Sequence, residues 1–257
     1  MAIYSLKKSY QLKDLQEIDY EDLWDDHGIF TTMWIFGKPA KILFFDNHIK
    51  YMIKSLKDYN IKKKSLKQDI LKMINQNLSK KKSYNHLLRV ALNKKILSIS
   101  LRKRIPPKLN FNLKLVNLKR ERPQYKNLKY KKILSYLSKI DNSKCDIGLL
   151  SNKKFLETGT SNLLFIKGNK VFTPKKNYYE GNTYKYFKSK IKRIIKKDVF
   201  VNEIKNYDEI LLIGSGKGVA SVKTIKQIGW KRKNLNQFRN FSKQYLLAIN
   251  KCNLYKF

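Results

Sequence analysis

One short stretch constrains this chain more than any other: Glu157-Thr-Gly-Thr-Ser-Asn162-Leu-Leu-Phe165, followed by Thr173-Pro174. It sets a carboxylate five residues ahead of an asparagine, between what read as two short apolar strands. An acid and an amide at the bend of such a pair suit gripping a flat heteroaromatic group better than packing a core. The other candidates for chemistry fall at sensible distances from it along the chain.

Apolar spacing around this stretch predicts an α+β chain without regular βαβ alternation. Residues 28–36 and 39–45 read as strands about Gly37-Lys38, a hairpin signal. Ile49, Met52, Ile53 and Leu56 recur at helical intervals, with Asp46 or Asn47 placed to cap the start. A second helix is expected over 66–78, and a second hairpin over 87–92 and 96–101. After Ile105-Pro106-Pro107 comes a strand over 113–118 and then a helix over 128–140. Strands are expected at 146–150, 163–167, 170–173 and 209–213, with a helix over 184–197 between the last two. The domain boundary is placed near 121–125, giving a smaller α+β domain over 1–120 and a larger one over 121–257. There is no internal repeat.

Composition bounds the partners. The formal net charge is +38, which points toward nucleic acid. Only 8 of the 57 basic residues are Arg, leaving 49 Lys. Arginine makes the bidentate contacts that read phosphates and bases, whereas lysine is a mobile, well-hydrated point charge. The lysines are spread along the chain beside abundant Asn, Ile and Tyr, as a genome poor in G and C produces. No specific nucleic acid partner is therefore expected, only weak, salt-sensitive association. Cys145 and Cys252 have no metal-like spacing and make no disulfide framework, so no metal site is expected and a reducing cytoplasm is the default. Lys7, Lys8 and Lys13 interrupt the first twenty residues, against a signal peptide, and no apolar run reaches the ~20 residues of a membrane helix.

Four features of the second half fit one another. Lys126 is expected at the start of a helix, and Glu157 follows near a strand. Gly181-Asn182-Thr183 opens a helix, where free N–H groups and the helix dipole favour a phosphate. Gly214-Ser215-Gly216-Lys217-Gly218 follows an apolar strand and presents further N–H groups to an anion. An amine, a carboxylate and two phosphate-binding turns are the parts needed to hold pyridoxal phosphate. Singly each has a plain structural reading: one lysine among 49, a solvated acid, a helix cap, a tight turn.

In order and spacing they resemble the class IV aminotransferases, the fold-type IV pyridoxal phosphate enzymes, over about residues 26–230. Glu157 to Phe165 resembles the family's E-x-x-x-S-N-[IL]-F, and Gly181-Asn182-Thr183 its G-I-T-R. Leu212 to Val222 resembles L-T-G-T-A-A-G-V-x-P-V. Gly28-Ile29-Phe30-Thr31-Thr32 resembles G-x-F-[ET]-T, and His48 with Ser55 resembles H-x-x-R-L-x-x-S-A. The resemblance implies a two-domain fold with the cofactor at the domain interface, Lys126 as the Schiff-base lysine with Lys129 as its rival, and Glu157 on the pyridine nitrogen. Asn182, Thr183, Ser215 and Gly216 would cradle the phosphate. It also implies a cytoplasmic homodimer acting on a small amine or amino acid.

The chain departs from the family's pattern at four places. Tyr51 stands where the first-domain helix has a phosphate-binding Arg. Lys129 replaces an Asn, and Asn182-Thr183-Tyr184 replaces I-T-R. Lys217 enters the phosphate turn, where it is expected to restore positive charge. Thr31-Thr32 and the short chain resemble 4-amino-4-deoxychorismate lyase, which forms 4-aminobenzoate and pyruvate. A branched-chain or D-amino acid aminotransferase remains the alternative, as does a basic binding protein that has lost the chemistry.

Overall fold

A computed structural model describes residues 4–254, which form two compact units. The first comprises the chain up to Arg104, the segment Tyr125–Lys131 and the residues from Lys251 on; the second comprises Ile105–Gln124 and Lys132–Asn250. The cut expected between 120 and 121 lies inside the 105–124 stretch.

The first unit contains β1 (Tyr4–Gln11), β2 (Glu17–Ile18), β3 (Ile29–Gly37), β4 (Lys41–Ile42), α1 (Phe45–Leu56), α2 (Leu66–Asn77), β5 (Tyr84–Leu92) and β6 (Ile96–Lys103). Its strands form one antiparallel sheet in the order β2-β1-β6-β5-β3-β4. Side chains alternate across a strand, so the sheet has two unlike faces. Met33, Ile35, Leu88, Val90, Ile99 and Leu101 share a core with Ile49 and Met52 of α1 and with Ile70, Met73 and Ile74 of α2. The register Thr32↔Arg89↔Ser100, with Arg102 two residues on from Ser100, puts a polar set on the other face.

The helix α2 and the hairpin β5–β6 form within a few residues of their expected limits, because each carries a clean helical or alternating pattern. The second strand of the first hairpin does not. Only Lys41–Ile42 pairs with β3, Phe44 turns left-handed (φ 57°), and α1 starts at Phe45 with no side-chain cap from Asp46 or Asn47. The helix expected over 128–140 is also cut back at its start. Phe30 N donates to Lys126 O (2.9 Å) and Leu128 N to Gly28 O (3.0 Å), so these residues run extended beside β3. Backbone groups spent on a ladder are not available to a helix. Lys126 therefore does not begin a helix. Only glycine fits at 28, since a Cβ there would lie 2.3 Å from Leu92 O and 2.7 Å from Leu128 Cδ1.

The second unit contains β7 (Phe111–Asn117), most of α3 (Lys131–Leu137), β8 (Cys145–Ser151), β9 (Lys154–Thr158), β10 (Asn162–Lys167), β11 (Lys170–Thr173), α4 (Asn182–Lys190), β12 (Ile194–Lys196), β13 (Glu209–Gly214), β14 (Gly218–Ile225), β15 (Trp230–Lys231) and α5 (Asn236–Asn250). The sheet order is β12-β11-β10-β13-β14-β7-β8-β9, with β15 on β14. The edge strand β9 and the inner strand β10 are five neighbours apart, about 24 Å in a flat sheet at ~4.8 Å per strand. Yet Thr158 and Asn162 are separated by four Cα steps, at most about 15 Å. The sheet must curl until β9 comes round toward β10. The loop 159–161 closes that curl, and Glu157 and Asn162 flank it.

The helix expected over 184–197 ends at Lys190, because Ile194-Ile195 joins the sheet in parallel with Val171-Phe172. Two β-branched residues beside an open strand edge favour pairing over another helical turn.

Candidate active site

In the second unit hydrogen bonds tie Glu157 to the start of α4, where Asn182 and Thr183 lie, and tie the 214–218 turn to the 159–161 loop. Glu157, on β9, is buried and paired with Arg120: Nε donates to Oε1 at 2.7 Å and Nη2 to Oε2 at 3.2 Å. Both side chains are almost closed to solvent, 4% exposed for Arg120 and 8% for Glu157. Arg120 Nη2 also donates to Pro123 O at 2.9 Å. A forked, charge-assisted pair of this kind fixes the plane of the carboxylate as well as its position.

Glu157 leads to the start of α4 in three hydrogen bonds. Tyr179 N donates to Glu157 Oε2 at 3.3 Å, Asn162 Nδ2 donates to Tyr179 O, and Gly181 N donates to Asn162 Oδ1 at 3.0 Å. Asn162 thereby ties the 159–161 loop to the helix cap. Gly181 is the cap residue, with Asn182 and Thr183 forming the first turn. Burial raises the Tyr184 phenol far above its usual range, with Tyr178 adding to it, so both rings stay neutral; Tyr178 is itself raised by burial.

The Gly214–Gly218 turn joins β13 to β14, with Gly214 and Gly218 as the last paired residues. Ser215 and Gly216 lie within it, as expected. Lys217 does not bring free charge to it. Its Nζ donates to Thr160 Oγ1 at 2.6 Å and pairs at 3.0 Å with the fully buried Asp146. The cation is neutralised inside the protein, correcting the expectation that it would face an anion.

In the first unit Lys126 is half-buried and its Nζ lies over the Phe30 ring, 4.8 Å from the centroid. Lys129 is exposed and donates to Asp25 O. Phe30 packs edge-on to Trp24 at 4.9 Å, Tyr130 stacks on Trp24, and the Arg89 guanidinium lies 4.1 Å from the Trp24 ring. Thr31 turns to the helix side, where its hydroxyl meets His48 Nδ1 at 2.6 Å. Tyr51 sits on α1 with its carbonyl accepting from Ser55 Oγ at 2.9 Å.

Arg120 and Arg89 escaped the sequence reading. The available signal was their rarity, since a chain with 49 lysines keeps arginine at only 8 positions.

The Amino-transferase class IV family model matches residues 28–225, more than three quarters of the chain. The chain belongs to the class IV aminotransferase family. Members of that family are pyridoxal phosphate enzymes, and the class IV chain is one of them. Its fold is similar to that of the branched-chain aminotransferase from Thermoproteus uzoniensis with norvaline (TM-score 0.75, 14% identity, 95% of each chain). It is also similar to a candidate 4-amino-4-deoxychorismate lyase from Legionella pneumophila (0.71, 16%, 86% of this chain and 91% of that one). A Brucella abortus aminotransferase bound to the cofactor PLP gives 0.72 at 14% identity, over 94% and 98%. No curated protein matches the sequence.

The class IV chain offers the cofactor a fitting cradle. Thr183 Oγ1 and Asn182 Oδ1 are buried in the first turn of α4 without a hydrogen-bond partner, at 1% and 5% residue exposure. A buried hydroxyl without a partner costs about 1–3 kcal/mol, and an arriving phosphate oxygen would satisfy it; the amide of Asn182 can rotate to present its NH2. Thr183→Val removes the unsatisfied hydroxyl at nearly constant volume. Calorimetry of the cofactor-free variant is expected to show stability unchanged or raised by about 1 kcal/mol. Titration should show pyridoxal phosphate affinity lowered by about tenfold, the loss of one charge-assisted hydrogen bond. A large loss of cofactor-free stability would mean that the hydroxyl has an internal partner instead.

Among the described residues no cluster of His, Cys, Asp or Glu could hold a metal ion, and no helix is long and apolar enough to cross a membrane.

Proposed function

We propose that this class IV enzyme is a 4-amino-4-deoxychorismate lyase, releasing pyruvate and leaving 4-aminobenzoate for folate synthesis. Bound at the site, the cofactor supplies an aldehyde and an electron-withdrawing ring. The chain's own groups do the rest. Lys126 carries the amine that bonds the aldehyde, and its Nζ moves protons as general base and acid. Glu157, held flat by Arg120, is assigned to the pyridine nitrogen. Asn182, Thr183, Ser215 and Gly216 are assigned to the phosphate, through the α4 N-terminus and the N–H groups of the turn. A cytoplasmic homodimer belongs to the same proposal.

The observation that favours the lyase is the pair Arg89 and Arg102. Both lie on the helix-free face of the first unit's sheet, in adjacent registers of β5 and β6. Among the described residues neither forms an ion pair with an acid, and Arg89 Nε is buried without a hydrogen-bond partner. Burial lowers both guanidinium pKa values, outweighing the raising effects of Tyr20, Tyr4 and Asp22 on Arg89 and of Tyr4 on Arg102. Two partly desolvated cations with no acid in ion-pair contact suit a substrate with two carboxylates, as aminodeoxychorismate has, better than a branched-chain amino acid with one. A neutral Thr31-Thr32 pair agrees with that reading.

Pyruvate release from aminodeoxychorismate, set beside amino transfer from leucine or D-alanine to a 2-oxo acid, is the deciding assay. Pyruvate without added oxo acid is expected. Arg102→Met should raise KM for aminodeoxychorismate by about tenfold or more, one charge-assisted contact. Oxo-acid-dependent transfer alone would make the protein an aminotransferase. Colourless protein that takes up no pyridoxal phosphate and shifts nucleic acid at moderate salt would make it a binding protein.

A further inference from the structure

The buried ion pair Lys217–Asp146 has no assigned role in the family pattern, and its surroundings give it one. Asp146 is fully buried and accepts from four donors: Ile147 N (2.8 Å), Thr158 Oγ1 (2.8 Å), Thr160 Oγ1 (2.7 Å) and Lys217 Nζ (3.0 Å). Lys217 is 9% exposed, and its Nζ also lies 5.2 Å from the centroid of Phe111. Thr160 Oγ1 completes the circuit, accepting from the lysine and donating to the acid. The loop is braced from within as well, since Thr158 Oγ1 accepts from the backbone of Thr160 and Ser161.

Lys217 belongs to the 214–218 turn, and Thr158 and Thr160 to the segment between Glu157 and Asn162. The other end of the same turn touches the same loop: a Cβ on Gly214 would meet Ser161 Oγ at 3.0 Å and Thr160 O at 3.1 Å. Ser215 and Gly216 are thus suspended between two fixed points, Gly214 packed on the loop and Lys217 bonded to it. A lysine that served only as a surface charge would not be buried against a carboxylate.

We propose that Lys217 and Asp146 are positioning residues: their ion pair sets the spacing between the Ser215-Gly216 turn and the Glu157–Asn162 loop, and cofactor affinity depends on that spacing. This rests on the pyridoxal phosphate reading of the site. The pair supplies no net charge to the phosphate; it holds neutral N–H donors where the phosphate needs them.

The test compares wild type, Lys217→Met, Asp146→Asn and the double variant by titration of cofactor-free protein with pyridoxal phosphate and by the thermal midpoint of the cofactor-free form. Either single variant leaves one buried charge uncompensated, so midpoint and affinity should both fall. The double variant buries no charge. It should regain most of the midpoint and still bind the cofactor about tenfold more weakly, because the turn is no longer anchored. Recovery of both quantities in the double variant would overturn the proposal, as would single-variant affinities within twofold of wild type. Should the Met and Asn variants fail to fold, Asp146→Glu keeps both charges and lengthens the strut by one methylene. Affinity lowered several-fold at unchanged circular dichroism is then expected, and unchanged affinity refutes the strut. Wild type that binds no pyridoxal phosphate would sink the cofactor reading alone. Amide exchange at Thr160 and Ser161, whose N–H groups bond to Thr158 Oγ1 in the loop that Lys217 braces, would still judge the strut in cofactor-free protein, slow in wild type and faster in Lys217→Met; equal rates would overturn it.

Discussion

Lys126→Ala is expected to abolish stable uptake of pyridoxal phosphate on reduction and to lower turnover by at least about 10^3-fold, the loss of both an amine nucleophile and a general acid–base group. Lys129→Ala should leave both within about twofold. The two side chains are three residues apart in one extended segment but differ in setting. Lys126 is half-buried with its ammonium over Phe30, while Lys129 is exposed on the carbonyl of Asp25. An amine beside an aromatic face and shielded from bulk water is better placed to act on an aldehyde than one exposed at the surface and held by a backbone carbonyl. Surface lysines elsewhere also react with aldehydes, so the comparison requires one equivalent of cofactor with the excess removed. Turnover retained in the Lys126 variant and lost in the Lys129 variant would reverse the assignment.

The second large effect is expected at Arg120. Arg120→Met leaves the Glu157 carboxylate buried with the weak 3.3 Å contact from Tyr179 N as its remaining hydrogen bond among the described residues. Breaking a buried ion pair by removing one partner costs about 3–5 kcal/mol. Denaturant unfolding of the cofactor-free protein should register a loss of that order, and activity should fall with it. Arg120→Met combined with Glu157→Gln removes both charges and is expected to recover most of the stability but none of the activity. Arg120→Lys should sit between, since a single ammonium cannot reproduce the forked contact. A stability loss below about 1 kcal/mol in Arg120→Met would show that the carboxylate is satisfied without the guanidinium.

Much of the fold was legible because the signals were local. The 87–92 and 96–101 hairpin, the helix from Leu66 and the opening of α4 at Gly181 each rest on periodicity or a cap within a dozen residues. What escaped depends on distant parts of the chain. Residues 126–128 fail to start a helix because β3 offers a ladder. Ile194-Ile195 leaves α4 because β11 has an open edge. The same division runs through the site. Motif and spacing single out Glu157, Asn182, Thr183, Ser215 and Gly216 as candidates, whereas nothing local marks their supports. Arg120 lies 37 residues before Glu157, and Asp146 lies 71 before Lys217. No local pattern marks such pairs. Lys217 illustrates the cost of reading a charge without its partner: its position in the turn was legible, but its use was decided by a carboxylate on another strand.

The most direct measurement is reduction with borohydride after loading one equivalent of pyridoxal phosphate, followed by proteolysis and mass spectrometry. With 49 lysines available, the location of the label is informative. A single phosphopyridoxyl group on Lys126, lost when that residue is alanine, is the expected result. Label on Lys129, or spread over surface lysines without preference, would contradict the proposed site.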